Sequence, residues 1–512
     1  MPSSPAAKRG FPSKKLLAWL CALVLAGSTL PLYVLSLYNH PYYDDYRFSA
    51  EVHSVWQESR SLGAVLQTAL QSAQKVRLSW QGTYTGTLLS NVQPGVFSEN
   101  LYFLTTFFLL TAFLLCFGFL LKVLFGDLLG LDRPSLVILI SLTLTLLVQF
   151  MPDPDEAFFW FNGGVGNTFI YSLLAVSLGL LVKLNRAKGR GKQAILVAAL
   201  LLLMALLGGG SYGGGLFGLC LYGGLTAWGL LRKNPKAPVT ALLTLVFLGC
   251  FLYSMTAPGN AVRAGVIGYP SSPGKAVAQA LYHGTALAGS YVSLHLLGVT
   301  VLVLPLLYAA AKKTPFSYAH PWLWLGAGLC LFCTQLVPPL YSGVGIGGGR
   351  IVDTYWQSFV VLWLLYAFYL TGHAARRLEK AGLGEAPASF PAALRIGALL
   401  AAVVLLGIGC LGYKLPDDRT YGLPNLAGAS AALSLASGEA RQYDLEMKAR
   451  EALLSDASQP EATLSPLSVV PHLFMKDLLA NAASADYAVL EQTLCDYYGK
   501  TAIHLAGGEV SP

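Results

Sequence analysis

The sequence predicts an all-α polytopic membrane protein of about eleven transmembrane helices, with a small C-terminal α or α/β domain outside the bilayer. Three observations lead there. Of 512 residues, 54% are apolar and only 12% are charged, about half the charged share of a soluble domain. Apolar runs close to the ~20 residues of a membrane-crossing helix recur along the chain. Lysine and arginine gather in alternate loops.

The runs lie near 16–38, 101–125, 134–151, 168–184, 193–208, 215–231, 238–256, 287–310, 321–338, 355–372 and 394–413. Between the fifth and sixth sits a glycine tract, Gly208 to Gly215, broken by Ser211 and Tyr212. It reads either as a tight turn between two spans or as the tip of a re-entrant pair. One set of loops carries Lys8, Arg9, Lys14 and Lys15, then Lys183, Arg186, Lys188, Arg190 and Lys192, then Arg232, Lys233 and Lys236. It continues with Lys312 and Lys313, then Arg376, Arg377, Lys380 and Arg395. This places the N-terminus in the cytoplasm, the loop after the first span outside, and the C-terminal segment outside as well. The formal charge of +8 is mostly this cytoplasmic skirt, and it does not indicate nucleic-acid binding. The first run reads as an uncleaved signal anchor. Seven of the eight cysteines fall inside spans and behave as small apolar residues. Cys330 and Cys333 lie mid-helix, which excludes a redox or zinc reading, and Cys495 alone outside offers no disulfide framework.

The first external loop, 39–100, holds the stretch around which the chain is organised. There His40-Pro41-Tyr42-Tyr43 runs into Asp44-Asp45-Tyr46-Arg47. Acids kept at a membrane edge are costly and mark candidate sites. The competing reading is a solvated pair beside an aromatic interface belt. Adjacent side chains do not share a direction, so the two acids do not share one role. One faces a substrate while the other meets a metal, Arg47 or the backbone, and the sequence does not say which. Further along, Leu62, Val65, Leu66, Ala69 and Leu70 recur at helical spacing, giving a short amphipathic helix on the membrane surface. Trp80 is either an interface anchor or a platform for a sugar ring.

The next external loop carries Asp153, Asp155 and Glu156 beside Phe158, Phe159, Trp160 and Phe161. Asp153 reads as a helix-start acid, while Asp155 and Glu156 stay open. Two later external loops each hold an arginine against the charge bias: Arg263 after Pro258-Gly259-Asn260, and Arg350 after Gly347-Gly348-Gly349. A guanidinium beside a glycine turn suits a lipid phosphate. An ion pair with Asp353 or another acid is the alternative. His283 and His295 read as interhelical hydrogen-bonders.

Residues 414–512 differ in character. They hold 13 acidic against 7 basic residues, a net of −6, and leave +14 for the rest of the chain. Helical stretches near 437–454 and 474–496 and an extended segment at 463–470 suit a small domain packed on the outer face. The domain division is therefore 1–413 for the membrane module and 414–512 for the tail.

Taken in order, several motifs resemble the GT-C superfamily of polytopic glycosyltransferases, near its bacterial O-antigen glucosyltransferases of the GtrII type. They are Tyr43-Asp44-Asp45-Tyr46, Trp80-x-Gly82, Trp160-x-x-Gly163, Pro258-Gly259-Asn260-x-x-Arg263 and Tyr497-Tyr498-Gly499-Lys500. Thr83 departs from the arginine that relatives often place after Trp-x-Gly.

The resemblance implies transfer of a sugar from a polyprenyl-phosphate donor to a cell-envelope glycan, lipid or protein, on the outer face of a bacterial inner membrane. Asp44 or Asp45 is then the general base, and Tyr46, Arg47, Trp80, Trp160, Asn260, Arg263 and Arg350 contact substrate. It brings no fixed cofactor. A divalent cation, Mg2+ or Mn2+, is the one candidate, with Asp44 or Asp45, Asp155 and Glu156 as ligands. A transporter or flippase of lipid-linked sugars would use the same arginines without a base, although no repeated halves are evident. A non-catalytic scaffold presenting the acidic tail is the third class.

Overall fold

The computed structural model describes residues 14–268, 271–381, 425–480 and 485–506, together with 399–404, 407, 413–414 and 420–421. The chain is nearly all helical. Eight helical segments are long and apolar enough to cross a bilayer: Lys14–Tyr38, Glu99–Leu128, Phe161–Arg186, Arg190–Gly208, Tyr212–Leu231, Ala237–Met255, Leu294–Lys313 and Arg350–Lys380. This is the architecture of a polytopic membrane protein. Two of the expected spans are shorter than that length, Arg133–Gln149 and Pro321–Thr334. The expected span at 394–413 lies mostly outside the described residues, as do Lys8, Arg9 and Arg395.

Two full helices flank the glycine tract, so the segment after Gly208 is a tight turn. Ser211 caps the second of them by accepting from the Gly214 N–H. The turn is bound from outside too, since the Thr85 N–H donates to the Gly209 carbonyl at 2.9 Å.

One core of large buried side chains joins the helices of the first, second, third, seventh and eighth spans. Phe113, Phe158, Phe159, Tyr355 and Trp356 sit at its centre. A second core, with Tyr171, Phe217, Tyr222 and Phe247, fills the space among the third to sixth spans.

After the first span, which contains α1 (Lys14–Leu35), come α2 (Asp44–Ser59) and α3 (Leu62–Ser79). The expected amphipathic helix is present and longer than the pattern showed. Its apolar residues divide between two faces. Val65 and Ala69 turn inward against Val52 of α2 and Val96. Leu62, Leu66, Leu70 and Leu78 stay more than half exposed. An exposed leucine stripe on a helix beside a membrane bundle is suited to lipid contact.

The tail is helical with two minor sheets. Helices Ala427–Ala436, Glu439–Ser455 and Ala485–Tyr498 dominate it, and strand Glu461–Leu464 pairs in parallel with Ala502–Leu505. It shares its core with the rest of the molecule. Ala427, Ala431, Tyr443 and Phe474 join the first core, and Leu490, Leu494 and Tyr497 pack with Tyr46 of α2.

Loops from distant parts of the sequence meet at one end of the bundle. The clearest joint is glycine on backbone. A methyl group at Gly82 would overlap the Ser254 carbonyl, and one at Gly259 would overlap the Trp80 backbone nitrogen. The two glycine motifs are therefore locked face to face. At the other end of helix Thr168–Arg186, Arg186 donates to the Asp127 carbonyl, and Lys122 and Lys183 surround the Asp127 carboxylate. That helix has 19 residues, so roughly 28 Å of helix separates the basic end from the loop end.

Gly82→Ala is expected to lower the unfolding free energy in detergent by about 1–3 kcal/mol through overpacking. Gly223→Ala, which meets nothing within 4 Å, leaves the thermal midpoint unchanged or raises it.

Candidate functional site

The site begins where the chain leaves its first span. Asn39 donates to the Phe159 carbonyl at 2.6 Å, and Tyr43 takes the strained values φ 32, ψ −93 just before α2. A non-glycine residue at positive φ is uncommon. Here it turns the chain so that Asp44 and Asp45 occupy the first turn of α2, where free N–H groups favour negative charge. Consecutive helical positions point about 100° apart, and the two acids go different ways.

Asp45 turns inward and is fully buried. Its carboxylate accepts from the Tyr42 N–H at 3.1 Å, the Tyr102 hydroxyl at 2.5 Å and the Asn162 N–H at 3.0 Å. The same hydroxyl accepts from the Phe161 N–H at 3.1 Å. Burial pushes the Asp45 carboxyl up to about 7, against the pull of those three donors and with a further rise from the Asp44 charge. Asp45 thus joins the first loop, the second span and the approach to the third.

Asp44 is only half-buried. Its carboxyl group makes no hydrogen bond among the described residues. Burial raises its carboxyl above the ordinary value, and the charges of Arg350, Arg47 and Arg263, in that order, pull it back. Three guanidiniums from three separate elements therefore bear on one carboxyl group.

Each guanidinium is held by an aromatic ring or a carbonyl-type partner. Arg350 opens the helix Arg350–Lys380 and lies over the Trp160 ring at 4.5 Å. Glu156 accepts from both its backbone N–H and its Nη1, each at 3.0 Å. Gly349, at φ 51, makes that pairing possible, because a Cβ there would overlap the Glu156 carboxylate. Arg263 donates from Nη1 to the Gln81 amide oxygen at 2.7 Å. It also sits 5.6 Å from the Trp80 ring, and so does Arg47. Burial and the Arg350 charge lower the Arg263 guanidinium from its ordinary value, but an arginine stays charged in proteins. Trp160 is 5% exposed, meets Tyr42 edge-on at 5.6 Å, and keeps a buried indole N–H with no partner among the described residues.

Asp44, Arg47, Trp80, Trp160, Arg263 and Arg350 thus meet in one place. Two other expectations need correction. Tyr46 points away, into the tail core, with its ring 5.0 Å from that of Tyr497. It is a packing residue because it lies one further turn-step around α2 from Asp45. Asn260 has no group left for a substrate. Its side-chain oxygen accepts from the Gly82 N–H at 3.1 Å and the Tyr212 hydroxyl at 2.6 Å, and its nitrogen donates to the Ser254 and Met255 carbonyls. It pins the two glycine motifs together. For Arg350 the alternative of an ion pair with an acid holds: Glu156 is its counter-ion, while Asp353 accepts from the Asp153 N–H at 2.8 Å.

The expected metal set is also not assembled. Asp155, whose carboxyl burial and the Asp153 charge push up to about 6, does not gather with Asp44, Asp45 and Glu156 at ligand spacing among the described residues. Asp45 is committed to its three donors, and Glu156 to Arg350.

The arrangement can bind an anion through Arg350, Arg263 and Arg47, stack a flat ligand on Trp80, and take up a proton at Asp44. No protein-family model, no curated protein and no solved structure matches this chain.

Asp45→Asn places an amide donor among three existing donors and strands at least one of them. It should cost about 1–3 kcal/mol of stability, read as a lower thermal midpoint in detergent. Asp44→Asn removes a carboxyl that burial already disfavours in its charged form. Its midpoint should equal or exceed that of the unaltered protein.

Proposed function

We propose that the protein is a membrane glycosyltransferase of the GT-C type that moves a sugar from a polyprenyl-phosphate donor to a cell-envelope acceptor. The observation that supports this reading is the half-buried Asp44 carboxyl, without a hydrogen-bond partner among the described residues, under three guanidiniums. A neutral-lipid or cation carrier has no use for that charge pattern. A phosphate ester reacting with a hydroxyl needs both halves of it.

In this mechanism the donor phosphate lies against Arg350 and Arg263. The acceptor hydroxyl oxygen attacks the anomeric carbon from the side opposite the phosphate. The bond from that carbon to the phosphate oxygen breaks, and its electron pair leaves with the polyprenyl phosphate. Asp44 takes the hydroxyl proton. The arginines offset the charge that grows on the departing phosphate, and the configuration at the anomeric carbon inverts. Trp80 offers a face for a sugar ring. The chain reaches about eleven spans when Arg133–Gln149, Pro321–Thr334 and the segment near 394–413 are counted as crossings. The Asp44 end and the tail then lie outside a bacterial inner membrane, with the basic loops inside.

Asp44→Asn should reduce transfer from a purified polyprenyl-phosphate-sugar by about 10²–10⁴-fold, the usual contribution of a positioned base, while expression and insertion persist. Full activity in this variant would remove the mechanism. The assay uses detergent-solubilised protein without a second compartment, so a flippase would give no turnover.

A base must be deprotonated to act. Because the Asp44 carboxyl is raised above 3.8, activity should be lost as pH falls through that raised value, at a higher pH than an ordinary aspartate would give. Asp44→Glu should shift this limb, whereas a variant altered only in stability should not.

Sidedness is tested by a membrane-impermeant thiol reagent on intact cells. Cysteine introduced as Glu58→Cys should react and Lys188→Cys should not. The reverse result would end the proposal.

A further inference from the structure

We infer that His40, Glu99 and Glu451 form a binding site for a divalent transition-metal ion, Zn2+ foremost, which ties the tail to the first two spans. The site is separate from the arginine cluster and does not depend on the transferase reading.

One ligand atom from each of the three residues lies within 4.8 Å of the other two. Tetrahedral ligands about 2.1 Å from zinc lie about 3.4 Å apart, so binding must draw the three atoms together by at most about 1.4 Å. The residues come from three elements. His40 follows the first span, Glu99 opens the second, and Glu451 lies on the tail helix Glu439–Ser455. Two carboxylates at that separation repel unless a proton or a cation stands between them.

The histidine supplies the independent observation. His40 is 6% exposed, and its Nδ1 has no hydrogen-bond partner among the described residues. Its Nε2 lies 3.0 Å from Asp444 Oδ1. Asp444 is held in turn by Lys448 at 2.8 Å. A metal-bound imidazole characteristically gives its other nitrogen to a carboxylate, which fixes the tautomer and orients the ring. Here that carboxylate is in place, and Nδ1 is the nitrogen left over for an ion.

Glu99 accepts from the Tyr498 hydroxyl, an outer contact of the same type. Glu99, Glu451 and Tyr498 also line a cavity of ≈ 60 Å³ together with Pro41 and Tyr42. That volume is ample for a water, which could serve as an exchangeable fourth ligand on the carboxylate side of the set. One imidazole and two carboxylates suit zinc better than magnesium, which prefers oxygen ligands and keeps several waters.

The test uses the full-length protein in detergent, stripped with a chelator, dialysed, and then given Zn2+ or Mg2+. The metal content is measured by mass spectrometry and unfolding by a thermal scan. The expected result is about one Zn2+ per chain, a midpoint that falls on chelation, and recovery with Zn2+ but not Mg2+. Asp444→Asn should weaken Zn2+ binding about 10–100-fold, and Glu451→Gln should abolish it. Well under one Zn2+ per chain, or a midpoint indifferent to both chelator and Zn2+, would overturn the site. So would Glu451→Gln binding like the unaltered protein. Where a variant fails to fold, the unaltered chain's metal content and chelator response decide alone. Neither readout involves sugar transfer, so this site and the proposed activity stand or fall separately.

Discussion

The buried carboxylate of Asp45 is the constraint on which the loop end of the molecule depends. A carboxyl group out of water is costly unless its oxygens are hydrogen-bonded, and here three donors from three parts of the chain surround it. Tyr102 ties it to the second span, and the Asn162 N–H ties it to the start of the third. The residues just before Asn162 are Trp160 and Phe161, and Trp160 is the surface on which Arg350 rests. Fixing Asp45 inward also fixes its neighbour. Asp44 must face another direction on the same helical turn, and that direction holds the guanidiniums. The reactive-looking acid is positioned by the structural one.

Much of this was legible from the residues alone. Hydropathy located the long spans, because a lipid-facing helix has little composition to choose from. The departures from the charge bias drew attention to Arg263 and Arg350, and the flanking tyrosines drew attention to Asp44 and Asp45 together. The division of labour between Asp44 and Asp45 was not legible. Adjacent acids are equivalent in a sequence, and only the positive φ at Tyr43 and the reach of Tyr102 break the tie. Nor was the loss of Asn260 and Tyr46 from the ligand set. Asn260 belongs to a motif that looks like a binding loop, yet its amide is spent on holding Gly82 against Ser254. Tyr46 reads as part of an aromatic belt, but the tail, more than four hundred residues later, covers it.

The ion pair of Glu156 with Arg350 and the contact of His40 with Asp444 show the same limit. Local pattern reports periodicity, propensity and charge bias, and it says nothing of partners brought together by the packing of whole helices. The tail illustrates this most fully. Its composition suggested a small domain packed on the rest of the chain, but not which residues make the joint: Tyr443, Phe474 and Tyr497 share cores with the helical bundle. Span count was limited by length rather than by polarity, since Arg133–Gln149 and Pro321–Thr334 are apolar but have 17 and 14 residues.

The helix that begins at Arg350 runs for 31 residues without a break. At 1.5 Å per residue it is a rod of about 46 Å, against a hydrocarbon slab of about 30 Å. Tilt alone would have to approach 50°, beyond the range such helices adopt. A rod of that length that crosses the slab must project from it, and its last turns carry Arg376, Arg377 and Lys380. Arg350 is thus one tip of a single unbroken rod whose far end, through His373 and Arg376, is tied to the carbonyls of Tyr318, Phe316 and Thr314.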